Sequence, residues 1–148
     1  MHQGTPRWFL LNIQPLSSYT VTALIVSPQG IPLVRDPRKP LPQYWKLPGG
    51  RGQLPETPEQ CAIREIKAET GLSLTRGSLK EVIREARAGH SFHFFTAGIR
   101  SLTHLRHSGE EGEQIALFQA SEILELPDFF HPHRMVAGSL LAEIARRR

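Results

Sequence analysis

Between Thr57 and Gly71 the chain spells out a helix with both ends marked, and this segment limits the architectures open to the rest. Thr57 suits an N-cap, Pro58 the first helical position, and Gln60 follows the cap at capping-box spacing. Gly71 supplies the stop, because it enters the left-handed region at no steric cost. The helix should therefore run from about Pro58 to Thr70. Short runs rich in β-branched and aromatic residues flank it. Tyr19 to Val26 reads as a strand, Pro28-Gln29-Gly30 as a turn, and Ile31 to Arg35 as the returning arm of a hairpin. Leu79 to Ala86, Ser91 to Ile99 and Gln114 to Phe118 read as further strands, and a short helix at about Ala120 to Leu126 follows. The last helix begins near His133. Its apolar stripe of Val136, Ala137, Leu140, Leu141 and Ile144 should pack on the sheet. Strands that enclose one helix and are followed by another predict an α/β fold.

The remaining segments are less patterned. Arg7 to Ile13 reads as a short strand or arm, and Asp36 to Gln43, with three prolines and three basic groups, as a surface loop. Tyr44 to Leu47 reads as a brief strand, after which Gly49-Gly50 leaves the backbone free to turn sharply. With 148 residues and no linker or repeat, residues 1–148 should form a single domain.

Composition excludes several classes. One cysteine, Cys61, makes neither an internal disulfide nor a cysteine-based zinc site, which points to a reducing, cytoplasmic home. Val21 to Val26, the longest strongly apolar stretch, is far short of the roughly 20 residues that span a bilayer, so no membrane partner is expected. The net charge of +4 invites a nucleic-acid reading, but the charge is partitioned. Residues 1–55 hold six basic side chains against one acid, whereas the other thirteen acids lie beyond residue 55. No arginine-rich reading helix accompanies this excess, which argues against nucleic acid.

The informative acids are Glu56, Glu59, Glu65 and Glu69. On a helix Glu65 and Glu69 are i and i+4, so their carboxylates share one face and could hold a cation between them. Hard oxygen ligands select Mg²⁺ or Mn²⁺, and Mg²⁺ usually completes its shell with waters and substrate phosphates.

The frame around these residues is more specific than the pair. From Gly50, five residues lead to Glu56 and seven more to Arg64-Glu65, then come Ile66, Glu69, Gly71 and Leu72. This closely resembles the Nudix box of the MutT-like hydrolases, with eight of its nine specified positions matched, and Leu47-Pro48-Gly49-Gly50 resembles the approach to it. The resemblance implies an α/β/α sandwich with a mixed sheet. It also implies Mg²⁺- or Mn²⁺-dependent attack of water on a diphosphate bond in a small nucleotide or nucleoside diphosphate derivative. Glu65 and Glu69 would bind the metal, helped by the Gly49 backbone carbonyl. Glu56 and Arg64 would form a salt bridge that orients Glu65.

One position departs from the pattern. Ala68 stands where the resemblance calls for the first glutamate of a Glu-Glu pair, so weaker metal binding or fewer metals is expected. Glu113, in the acidic turn before the Gln114 strand, is the candidate replacement ligand, against its reading as a solvated acid. The alternative function is a nucleotide-binding or sensing module on the same fold. Arg35, Arg38, Lys39 and Arg51 are candidates to meet substrate phosphates, and Trp45, Phe92, Phe94 and Phe95 to stack on a base. Cys61 should be a buried, inert thiol, and the histidines at 90 and 93 do not sit in a metal-ligand frame. A homodimer is left open.

Overall fold

A computed structural model describes residues 18–146. The arm expected at Arg7 to Ile13 lies outside the described residues. A four-stranded sheet carries the molecule, with β1 (Ser18–Val26) near its centre, β3 (Gly49–Gln53) beside it, and β5 (His90–Gly98) and β4 (Lys80–Arg87) on the other side. β1 runs antiparallel to β3 and parallel to β5, so the sheet is mixed. β2 (Ile31–Arg35) pairs with β6 (Gln114–Phe118) in a separate two-stranded sheet.

The helices cover both faces. α1 (Pro58–Thr70) has the expected bounds, with the Thr57 capping box formed and Gly71 in the left-handed region at φ 87°. It lays Cys61, Ala62 and Ile66 on the odd-numbered residues of β1, from Tyr19 to Ile25. Ile66 is fully buried, and burying a side chain of that size contributes about 1.5–3 kcal/mol. On the opposite face Leu24, Leu33, Leu47 and Phe129 pack with the short α2 (Ala120–Ile123) through Ile123, and with Ala137 and Leu140 of α3 (His131–Arg146). This is an α/β/α sandwich, and the apolar stripe of α3 does pack inward. Among the described residues, no helix is long and apolar enough to cross a membrane.

Three local expectations are corrected. The turn after β1 forms, with a bridge between Ser27 and Gly30, but β1 and β2 do not continue as a hairpin because β2 leaves for β6. Tyr44 to Leu47 is not a strand; it makes only isolated bridges, Trp45 to Phe129 and Lys46 to Val34. Gly49 and Gly50 do not turn the chain but extend within β3. Glycine is needed there for close approach. A Cβ on Gly49 would stand 2.0 Å from the Val21 carbonyl oxygen, inside the space taken by β1.

Candidate active site

Glu65 and Glu69 project from the last turns of α1 toward the double glycine, by different contacts. Gly50 has the Glu65 carboxylate directly against it, since a Cβ at position 50 would lie 2.4 Å from Glu65 Oε2. Arg64 holds the other oxygen, with Nη1 donating to Glu65 Oε1 at 2.5 Å, and forks onto Glu56 through Nε at 2.7 Å and Nη2 at 3.0 Å. The Arg64 guanidinium keeps the Glu56 carboxyl below the usual carboxylate range. Residues 56, 64 and 65 thus form one bracing unit. Arg64 is half exposed, so the unit fixes geometry more than it adds stability.

Glu69 is buried at 7% exposure, and Oε1 accepts the Gly49 amide at 2.7 Å. It is thus the amide of Gly49 that meets a candidate ligand here. Burial pushes the Glu69 carboxyl up to about 8; the Gly49 amide and Lys46 oppose that rise, while the charges of Glu65 and Glu113 add to it. Glu113 is also buried at 7% exposure, not solvated, and Oε1 accepts the Glu111 amide at 3.0 Å. The loop that delivers it is docked on the end of α1, where the Arg106 amide donates to the Thr70 carbonyl and the Glu110 amide to the Ala68 carbonyl. The carboxylates of Glu65 and Glu113 therefore both act electrostatically on Glu69 near the C-terminal end of α1.

These donors suit a hard divalent cation in kind. Among the described residues no three His, Cys, Asp or Glu side chains are gathered tightly enough to enclose an ion. An open arrangement of one or two carboxylates is what Mg²⁺ uses when waters and substrate phosphates complete its shell.

β3 separates the carboxylates from a cleft of about 540 Å³ on the α3 face of the sheet. Thr20 and Thr22 of β1 and Phe92 and Phe94 of β5 form its floor. Lys39, Lys46, Arg51 and Arg87 supply positive charge around it, and Phe130 and His133 close one side. His133 is held neutral. Its Nδ1 accepts the Leu47 amide at 3.3 Å, leaving the ring proton to Nε2, and burial followed by the charge of Lys46 lowers its pKa to about 4.

Of the cations expected to meet phosphate, Lys39 and Arg51 line the cleft, but Arg35 and Arg38 do not. Arg35 stacks over Trp45 at 4.4 Å, pairs with Asp128 at 3.5 Å and donates to Gln114 at 2.7 Å. Arg38 is spent on Asp36 at 2.9 Å and Glu111 at 3.4 Å. Phe95 sits in the core on the α1 face, and Trp45 packs edge-on against Phe118. Lys46, Arg87, Phe130 and His133 are cleft residues that sequence reasoning missed as such. Cys61 is fully buried with its thiol pushed up to about 12, chiefly by burial, so it is inert as expected. His90 bonds Thr20 at 2.7 Å, and His93 bonds Glu81 at 3.1 Å and Ser91 at 2.9 Å, so both serve the sheet.

The family model of the NUDIX domain matches residues 17–147. Among solved structures, a MutT from work on Aliivibrio salmonicida and Vibrio cholerae superposes with a TM-score of 0.67 at 22% identity, over 85% of this chain and 98% of that one. At that identity the likeness speaks for the fold. Among curated proteins, the 8-oxo-dGTP diphosphatase of Proteus vulgaris is 38% identical over 40 residues, which is 27% of this chain and 36% of that protein. A Caenorhabditis elegans protein described as a nudix hydrolase is 35% identical over 60 residues, 38% of this chain and 16% of its own length. The chain thus spans well under half of either curated relative.

Proposed function

The chain belongs to the Nudix family, and we propose that it is a metal-dependent pyrophosphohydrolase acting on the diphosphate bond of a small nucleotide or nucleoside diphosphate derivative. Nudix hydrolases use divalent metal ions. The observation that carries the reading is the placement of Glu65 and Glu69 against Gly50 and Gly49, across one backbone strand from a cleft with four cationic side chains. In this reading Glu65 and Glu69 would hold Mg²⁺ or Mn²⁺ in an open site that waters and substrate phosphates complete, with Glu113 and the Gly49 carbonyl as the candidate further oxygen donors. The cation, when bound, neutralises phosphate charge and lowers the pKa of a coordinated water.

The protein's own groups do the rest. Glu56 and Arg64 act as positioning residues that hold Glu65 in place, and the carboxylate pair takes the proton from water. Lys39, Lys46, Arg51 and Arg87 draw the phosphates in, while Phe92 and Phe94 offer flat apolar surface to a base. The single reduced thiol of Cys61 supports a cytoplasmic location.

A panel of nucleoside triphosphates and nucleoside diphosphate derivatives, assayed with Mg²⁺ and with Mn²⁺, tests the reaction. Turnover that Glu69→Gln lowers by about 100-fold or more is expected. No turnover on any compound sinks the proposal. Ala68 supports a second reading, a nucleotide-binding or sensing module with its chemistry disabled. That module would bind nucleotide tightly without metal and release no product.

A further inference from the structure

Four cationic side chains line the cleft; Arg51, on β3, and Lys46 both stand on backbone fixed by main-chain bonds, but Lys46 is half-buried where Arg51 is exposed. The amide and the carbonyl of Lys46 both bond to Val34, at 2.9 Å each. The next residue, Leu47, is buried and gives its amide to His133, and the carbonyl of Pro48 accepts the Ala23 amide at 3.0 Å. Lys46 therefore stands on a main-chain stalk tied to β1, β2 and α3. By contrast, Lys39 sits on the proline-rich loop, and the Arg87 guanidinium lies over the Phe92 ring at 4.8 Å.

Among the described ion pairs Lys46 takes part in none. It lines the cleft with Gly49, whose amide donates to Glu69 on the far side of β3, and with His133 on the opposite wall. Lys46 thus stands between the strand that Glu69 is bonded to and the far wall of the cleft. Lys46 is half-buried beside Phe130, so solvent screens its field less than at an open surface.

Charge counting gives this position meaning. Ala68 removes one negative charge from the helix that carries Glu65 and Glu69, and with it some capacity to recruit a divalent ion. Lys46 places a positively charged side chain on the neighbouring wall. We propose that Lys46 is a phosphate-binding residue of this cleft, and that its fixed charge supplies part of the phosphate neutralisation that a carboxylate at position 68 would otherwise recruit as metal. This deepens the reading of the cleft as a phosphate site and rests on it.

The test uses the whole chain without turnover. Binding of inorganic pyrophosphate is measured by calorimetry in the presence of a metal chelator, for wild type, Lys46→Met and Lys46→Arg. Mn²⁺ binding without phosphate is measured by electron spin resonance. Because the bonds to Val34 are main-chain bonds, both variants should melt close to wild type. Lys46→Met should bind pyrophosphate about 10-fold or more weakly, the worth of one charge-assisted hydrogen bond, with Lys46→Arg within about 3-fold of wild type. Mn²⁺ affinity should rise about 3-fold or more in Lys46→Met, since a like charge is gone.

Unchanged pyrophosphate binding in Lys46→Met overturns the assignment, as does an equal loss in the control Arg38→Met, which removes a cation outside the cleft. Weaker Mn²⁺ binding in Lys46→Met overturns the electrostatic part. A protein that hydrolyses nothing yet binds pyrophosphate through Lys46 would refute the reaction proposed above and leave this residue's role standing.

Discussion

Glu69 and His133 are shifted in opposite senses, and the pair makes an unusual prediction for stability against pH in the metal-free protein. Burial raises the Glu69 carboxyl from 4.5 to about 8, and it lowers His133 from 6.5 to about 4. Between about pH 4.5 and 6.5 the unfolded chain carries its proton on the histidine, whereas the folded protein carries it on the glutamate. The two states bind equal numbers of protons at these sites, so their contributions to the pH slope cancel. Above pH 6.5, of these two groups, only Glu69 differs between the states. The unfolded chain is then ionised and the folded one is not, so stability falls as pH rises toward 8, by ~1.4 kcal/mol per unit or on the order of 2 kcal/mol in all.

Single substitutions unmask the hidden terms. In Glu69→Gln, which keeps an oxygen for the Gly49 amide, the histidine acts alone, and stability should fall by ~1.4 kcal/mol for each unit that pH drops from 6.5 to 4.5. In His133→Gln the glutamate acts alone, and stability should instead rise by a similar amount as pH drops through the same window. The Asp36 carboxyl, held near 2 chiefly by its hydrogen bond from Arg38, titrates below this window in the folded state. His90, lowered by burial, adds the same upward slope with pH to all three proteins, so the differences between their curves carry the test. Urea unfolding at half-unit intervals from pH 4.5 to 8, with a chelator present, measures all three slopes. Parallel curves for wild type and both variants would refute the reasoning, because they would mean that neither group changes its proton affinity on folding.

Other perturbations have simpler expected outcomes. Gly50→Ala drives a methyl into the Glu65 carboxylate and should lower kcat by about 100-fold with a modest change in Tm, read by steady-state assay and thermal melting. Ala68→Glu should tighten Mn²⁺ binding by about 10-fold or more and raise turnover; an unchanged affinity in calorimetry would show that position 68 does not address the metal. Arg64→Met frees Glu65 and Glu56 together and should reduce kcat more than it raises KM, with under about 1 kcal/mol lost in urea unfolding because the guanidinium is half exposed. Ellman's reagent should leave Cys61 untouched in the native protein and label it fully once denaturant is added, given its complete burial.

The parts of the fold that were legible in the sequence are those set by local chemistry. α1 has its expected bounds because Thr57, Pro58, Gln60 and Gly71 determine its ends without help from the rest of the chain. The bracing of Glu65 by Arg64 and Glu56 was legible only through the resemblance to the Nudix box, since Glu56 lies before the helix and helical spacing alone does not bring it to Arg64. Gly49 and Gly50 were misread as a turn because their freedom is local, whereas the need for them is not: the Val21 carbonyl and the Glu65 side chain come from elsewhere. β2 was assigned to the wrong partner since its mate, β6, lies about eighty residues further on and carries no signal naming it. Arg35 and Arg38 look identical to Arg51 in sequence, but Asp128, Trp45, Asp36 and Glu111 claim the first two. Lys46, Arg87 and His133 meet only through strand pairing and the start of α3, and none of the three carried a signal, although Lys46 stands directly before Leu47-Pro48-Gly49-Gly50.

The docking of the loop that carries Glu113 bears on how this chain can change over generations. What that loop asks of position 68 is a main-chain carbonyl, which receives the Glu110 amide at 2.8 Å, and any amino acid provides one. Side-chain identity at 68 is therefore uncoupled from the contact that brings Glu113 up to Glu69. A carboxylate at 68 can be lost, or regained, without rebuilding the loop, so the charge on this end of α1 is free to vary on a constant scaffold.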